Sequence, residues 1–120
     1  MTTAIAAPLS ADAYESKAGE NYTAFNVRLG VKFWDHTTSS NLWTNYAAAL
    51  FVKNDQQSKL ELYRKVLVKG TVLDLAATHQ KACVGKGKND VYYPYIELLK
   101  PNLVNFWIRD KKEEEEQQQQ

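Results

Sequence analysis

A chain of 120 residues, 44% hydrophobic and 24% charged, is long enough for one domain with a real core and too short for two. No apolar run approaches a membrane span and no charged-then-apolar leader opens the chain, so the default expectation is a cytoplasmic protein, or one in a host's cytoplasm. The lone Cys83 excludes an internal disulfide, and the net charge of +1 hides an asymmetry: fifteen Lys and Arg stand against ten acids before Glu113, a surplus of five, and Glu113 to Glu116 follow. A basic body favours a polyanionic partner.

Met1 to Ala7 is small and apolar and reads as a short first strand, broken by Pro8-Leu9-Ser10-Ala11-Asp12. Tyr14 to Lys17 continues extended beyond that bend, and Ala18-Gly19-Glu20-Asn21 is a turn signal. Then comes a long alternating run, Tyr22 to Trp34. Phe25, Val27, Leu29, Val31 and Phe33 point one way; Asn26, Arg28, Gly30, Lys32 and Trp34 point the other. A period of two is the pleat of a half-buried strand. Phe33 and Trp34 are adjacent, which predicts one ring in the core and one outside, and the alternation favours Trp34 outside. Asp35-His36-Thr37-Thr38-Ser39-Ser40-Asn41 is a turn cluster, and Trp43 to Val52 a second strand with aromatics on both faces. The pair reads as a long β-hairpin whose outer face carries cations and rings. Single-stranded nucleic acid needs that combination, charge for phosphates and flat rings for bases.

After Val52, Asn54 or Asp55 is placed to cap a short helix from about Gln56 to Arg64, with Leu60 and Tyr63 on its buried side. Lys65 to Leu75 is β-rich, and Gly70 within it predicts a bulge or barrel bend. Thr78 to Asp90 is polar and basic and reads as a flexible loop or hairpin tip. Val91 to Leu99 is a last major strand, expected at an edge or bulged at Pro94. Val104 to Ile108 is expected to close the barrel. Lys111 to Gln120 is a low-complexity acidic and glutamine tail, expected to be disordered. Five strands with a short helix between the third and fourth is the order of an all-β OB-fold barrel, here residues 1–110, with 111–120 as tail.

Several stretches resemble the bacterial and phage single-stranded DNA-binding proteins. Ala6-Ala7-Pro8-Leu9-Ser10-Ala11-Asp12 resembles that family's Gly-Arg-Leu-Thr-Ala-Asp entry. Tyr22 to Val31 is similar to its Val-Ala-Asn-Phe-x-Leu-Ala-Val strand, and Trp43 to Phe51 to its Trp/Phe-x-x-Val-Val-x-Phe strand. Val66 to Val72 is similar to its Val-Tyr-Val-Glu-Gly-x-Leu. The resemblance runs from about residue 4 to 108. It implies an OB-fold that coats single strands without sequence preference, usually as a homotetramer, during replication, recombination and repair. Two features depart from the family. The acidic tail lacks the hydrophobic Pro-Phe tip that recruits replication proteins, which points to a phage or plasmid version. Phe51-Val52-Lys53-Asn54 replaces the usual Gly-Lys before the helix.

The candidate nucleic-acid contacts are Arg28, Lys32, Phe33, Trp34, Trp43, Phe51, Lys81, Lys86, Lys88 and Tyr93. Arg28, Lys32 and the loop lysines would neutralise phosphates. Trp34, Trp43 and Tyr93 would stack bases, with Phe33 admitted by the resemblance and Phe51 on the parity of Trp43. The competing role for Trp43 is a core or interface ring, for Tyr93 subunit packing, and for Trp107 the core or a subunit contact. Gly85-Lys86-Gly87-Lys88 lacks the spacing of a P-loop. His36, His79 and Cys83 have no metal-spaced companions, and no carboxylate pair marks a cleft, so neither an enzyme nor a cofactor is expected. The rival reading is an OB-fold interaction module of the primosome type, whose rings serve partner proteins.

Overall fold

The computed structural model describes residues 3–108. The tail from Lys111, and the domain boundary expected at residue 110, lie outside them. The chain runs β1 (Thr3–Pro8), β2 (Tyr14–Ala18), β3 (Tyr22–Asp35), β4 (Ser40–Lys53), α1 (Gln57–Val66), β5 (Val72–Ala77), β6 (His79–Lys86), β7 (Tyr92–Leu99) and β8 (Asn102–Trp107), with a 3-10 turn at Lys88–Asp90. Among the described residues no helix is long and apolar enough to cross a membrane, which says nothing of β-barrels.

The alternation of Tyr22 to Trp34 becomes a 14-residue strand, paired antiparallel with the equally long β4 from Tyr22–Lys53 to Asp35–Ser40 without a slip. Such pairing fixes which side chains share a face. Phe25, Val27 and Leu29 are buried opposite Leu50, Ala48 and Tyr46, and Arg28, Gly30 and Lys32 stand outside opposite Ala47, Asn45 and Trp43. A five-stranded sheet in the order β2-β3-β4-β7-β6 curls over a three-stranded one, β1-β5-β8. The chain itself joins them at short corners, among them Lys100 and Pro101 between β7 and β8. Leu9 to Ala13 leads from β1 into β2, with Leu9 bridging Leu29, and Thr78 alone separates β5 from β6. The arrangement is mostly β with one short helix after β4, consistent with an OB-like fold.

The core lies between the sheets, around Phe25, Leu29, Leu73 and Leu75, and α1 plugs one side of it with Leu60, Tyr63 and Val66. Tyr63 meets Phe25 edge-on, with ring centroids 5.4 Å apart and planes at 74°, a favoured aromatic geometry. Arg64 and Lys65 in the last turn complement the helix dipole.

The structure corrects several sequence expectations. Neither Asn54 nor Asp55 caps α1: the N-cap is Gln56, without a side-chain cap bond. Asn54 is engaged elsewhere, accepting from Thr23 Oγ1 at 2.6 Å and donating to the Glu20 carbonyl at 3.3 Å, so it ties two turns together. Lys65 and Val66 belong to the helix, and β5 begins only at Val72. Gly70 is thus no strand bulge. It takes φ +94° in the turn before β5, where its N–H donates to the Leu9 carbonyl at 2.9 Å, a left-handed position that suits glycine. Of the segment expected to be a flexible loop or hairpin tip, only the end at Lys88–Asp90 is a hairpin tip; residues 79–86 form β6, because all eight find partners along β7 from His79–Leu99 to Lys86–Tyr92. Pairing with a strong neighbour overrides weak local propensity. β7 is an interior strand, yet its ladder with β4 covers only Ile96 and Glu97, so the β4 flank at Pro94 carries no pairing. β8 does not close the barrel: it is an edge strand on β5, and Trp107 is 49% exposed, outside the core.

Candidate nucleic-acid interface

Strand parity gathers one set of side chains on the outer face of the five-stranded sheet. The pairs Arg28–Ala47, Lys32–Trp43 and Trp34–Asn41 set the β3 and β4 contributions. The parallel pair Ala47–Glu97 carries the face onto β7, and Lys81–Glu97, Cys83–Tyr95 and Gly85–Tyr93 carry it onto β6. Seven expected residues take the parity of this face, and six of them, Arg28, Lys32, Trp34, Trp43, Lys81 and Tyr93, stand together there.

The other four separate. Phe51 shares the face but sits at the far end of β4, opposite Ala24, away from Trp43. Phe33 takes the core parity, yet is 42% exposed, because β3 and β4 extend beyond the body there. Trp34 beside it is 53% exposed, so neither ring is core, which corrects the expectation that one of them would be. Phe33 instead lines, with Leu42, Trp43, Pro94 and Ile96, an apolar cavity of about 480 Å³ between the two protruding hairpins. Lys86 turns to the face opposite Gly85 and is engaged, its Nζ 3.1 Å from Asp90 and 5.9 Å from the Tyr92 ring centre. Lys88 lies in the 3-10 turn at the β6–β7 tip, followed by Asn89 and Asp90 with positive φ. The three loop lysines do not form one arm: Lys81 stands on a strand opposite Glu97, away from the tip.

Trp43 is 58% exposed and is not a core ring. It lies directly opposite Lys32, with its ring over Gly30. Tyr93 is half-buried, 5.9 Å from Tyr95 between ring centres. Its hydroxyl accepts from Arg28 Nη1 at 3.2 Å. β4 runs between their strands and presents only Ala47 and Ala49 there, so a shallow trough crosses the sheet from Asn26 and Arg28 to Tyr95 and Glu97. The Tyr95 hydroxyl is held above its ordinary pKa, chiefly by the charge Cys83 gains on ionisation and then by its hydrogen bond with Cys83.

Three further members of this face are not among the expected contacts. Tyr14 of β2 is paired with Asn26 and well exposed. Tyr95 follows Tyr93 on the same parity. Asn45 stands between Trp43 and Ala47 and borders the cavities on both sides. The signal for Tyr14 and Tyr95 was their parity; for Asn45, only its place between two aromatic strands marks it. The face can therefore offer rings, guanidinium and ammonium donors, and side-chain amides to a flat and anionic ligand.

No family model matches the chain, and no curated protein does. Among solved structures, the single-stranded DNA-binding protein of Plasmodium falciparum in complex with single-stranded DNA superposes with a TM-score of 0.46 and 14% identity, over 89% of this chain and 94% of that one.

Proposed function

We propose that this chain binds single-stranded DNA without sequence preference, through the outer face of its five-stranded sheet. One observation carries the reading: a solvent-exposed tryptophan, Trp43, directly opposite Lys32 and one strand from Arg28 on one continuous face. Alternating charge and ring along a face matches the alternation of phosphate and base in an extended strand. In this reading Arg28, Lys32 and Lys81 neutralise phosphates while Trp34 and Trp43 stack bases, and Tyr93 lies at the far wall of the trough. The protein acts by coating, with no chemical step. An OB barrel that protects exposed strands in replication, recombination and repair, as a homotetramer in the cytoplasm of a cell or of a phage host, is the fuller form of the proposal.

A titration of tryptophan fluorescence with an unlabelled dT oligonucleotide at low and high salt tests it. Quenching that salt reverses, and that duplex competes for poorly, is the expected result. Flat fluorescence from the folded protein at low salt refutes the proposal. The interaction-module reading draws on a different observation, the edge of β8, which pairs with no second strand among the described residues and where Val104 and Trp107 are exposed. An apolar edge of that kind favours a protein partner. Sedimentation would show a stable oligomer in that case, with no response to dT.

A further inference from the structure

We infer that Gly30 and Gly85 are positioning residues for the aromatic rings of the outer face, each leaving the space over which one ring lies. The inference rests on the single-stranded DNA reading of that face. Four glycines of this chain divide into two kinds. Gly19 and Gly70 have φ of +72° and +94°, and a Cβ at either would meet nothing within 4 Å. They are needed for their backbone conformation. Gly30 and Gly85 are the reverse. Neither has a positive φ, so the backbone there suits any residue. What a side chain would meet is a ring. A Cβ at Gly30 would lie 3.2 Å from Cε3 and 3.6 Å from Cζ3 of Trp43. At Gly85 it would lie 2.6 Å from the Tyr93 hydroxyl oxygen and 2.9 Å from Cε1, and nearer still to Cζ.

The register explains both contacts. Gly85 pairs directly with Tyr93 across β6 and β7, and Gly30 is the diagonal neighbour of Trp43, whose direct partner is Lys32. Direct and diagonal neighbours on one face are within reach of an aromatic side chain. Each ring can therefore lie down along the sheet instead of standing away from it. Gly30 is buried although it is on the outer face, because Trp43 covers it. A ring lying down offers its free face to a base, whereas a standing ring offers mainly its edge. Stacking is a face contact, so two missing side chains set the orientation on which binding depends. The competing role is purely structural: a ring that shields a strand glycine also stabilises the sheet. The two roles separate by what a double mutant reads.

The experiment measures affinity of the full chain for a labelled dT oligonucleotide, with urea melts run in parallel. Gly85→Ala is expected to weaken binding by about fivefold or more, and to cause no further loss in a Tyr93→Ala background. Gly30→Ala, where the neighbour need give only a few tenths of an ångström, should cost about twofold and nothing in a Trp43→Ala background. Equal losses in both backgrounds, or a lowered melting midpoint with affinity intact, overturn the inference. If Gly85→Ala does not fold, the Gly30 and Trp43 cycle decides alone. A wild-type protein that fails to bind dT sinks the reading of the face itself, which is a different result from binding that ignores the glycines.

Discussion

Arg28 on β3 donates from Nη1 to the hydroxyl of Tyr93 on β7 at 3.2 Å, over the intervening strand β4. The bond is exposed, so its net worth to the fold is small, on the order of 1 kcal/mol or less. Its consequence is for the ligand. In the free protein the guanidinium lies across the trough, and on the proposed reading it exchanges a hydroxyl for a phosphate when a strand binds. Tyr93→Phe keeps the ring over Gly85 and removes only the acceptor, so dT affinity should change by less than about threefold. Arg28→Ala should weaken binding and flatten the salt dependence by about 0.7 in slope, the share of one phosphate on a single strand. A salt titration of the two variants checks both values.

Trp34 and Trp43 are more than half exposed and stand on one face, so neither supports the core. Replacing either by alanine should leave the urea midpoint nearly unchanged. Trp43→Ala is expected to cost about 1–3 kcal/mol of dT binding, the range for one base stacked on one ring. Trp34 lies farther toward the hairpin tip, opposite Asn41, and its loss should matter less on short oligonucleotides than on long ones. An oligonucleotide length series in each variant measures the difference.

The hairpin, its faces and its core were legible because β3 alternates strictly through Leu29 and β4 mirrors it residue for residue. The same rule failed at Phe33, since parity describes which way a side chain points and not whether any body lies beneath it. β6 was illegible for another reason. His79 to Lys86 has little strand propensity and takes its form from β7, a long-range partner that local pattern does not reveal. Lys86 shows how charge in a sequence overstates free charge in a fold, for its ammonium is already shared with Asp90. The glycines were misjudged together. Gly70 was read as a strand feature and is a turn, while Gly30 and Gly85 attracted no structural role and carry rings.

The β3–β4 turn has its own pH response. Asp35 accepts from the Thr38 hydroxyl at 2.7 Å and from the amides of Thr38 and Thr37 at 3.2 and 3.4 Å. These bonds, the Thr38 hydroxyl foremost, hold its carboxyl below the ordinary value of 3.8. A depressed folded-state pKa means that the turn is supported at neutral pH and loses that support as pH falls below 3.8 through the folded value. Carboxyl chemical shifts followed through an acid titration should show Asp35 titrating low in the wild type. In Thr38→Val it should move back toward the ordinary value, with the hairpin tip becoming more mobile at neutral pH.

Tyr63 responds at the other end of the scale. Its ring fills the junction between α1 and β3, edge-on to Phe25, and burial pushes its hydroxyl above the ordinary value of 10.0. A raised folded-state pKa favours the protonated form, so the stability it contributes is complete below 10.0 and is lost as pH rises from there through the folded value. Alkali should therefore loosen the helix from the sheet. Tyr63→Phe keeps the ring pair and removes the titration, and is expected to hold its urea midpoint above pH 10 better than the wild type does. Tyr63→Ala removes the ring itself and should cost about 3 kcal/mol or more in a urea melt at neutral pH. The protein that remains folded should bind dT as before, because α1 anchors the core from the side away from Trp43 and Lys32. Weakened dT binding by the folded fraction of Tyr63→Ala would mean that the helix and the outer face are coupled through β3.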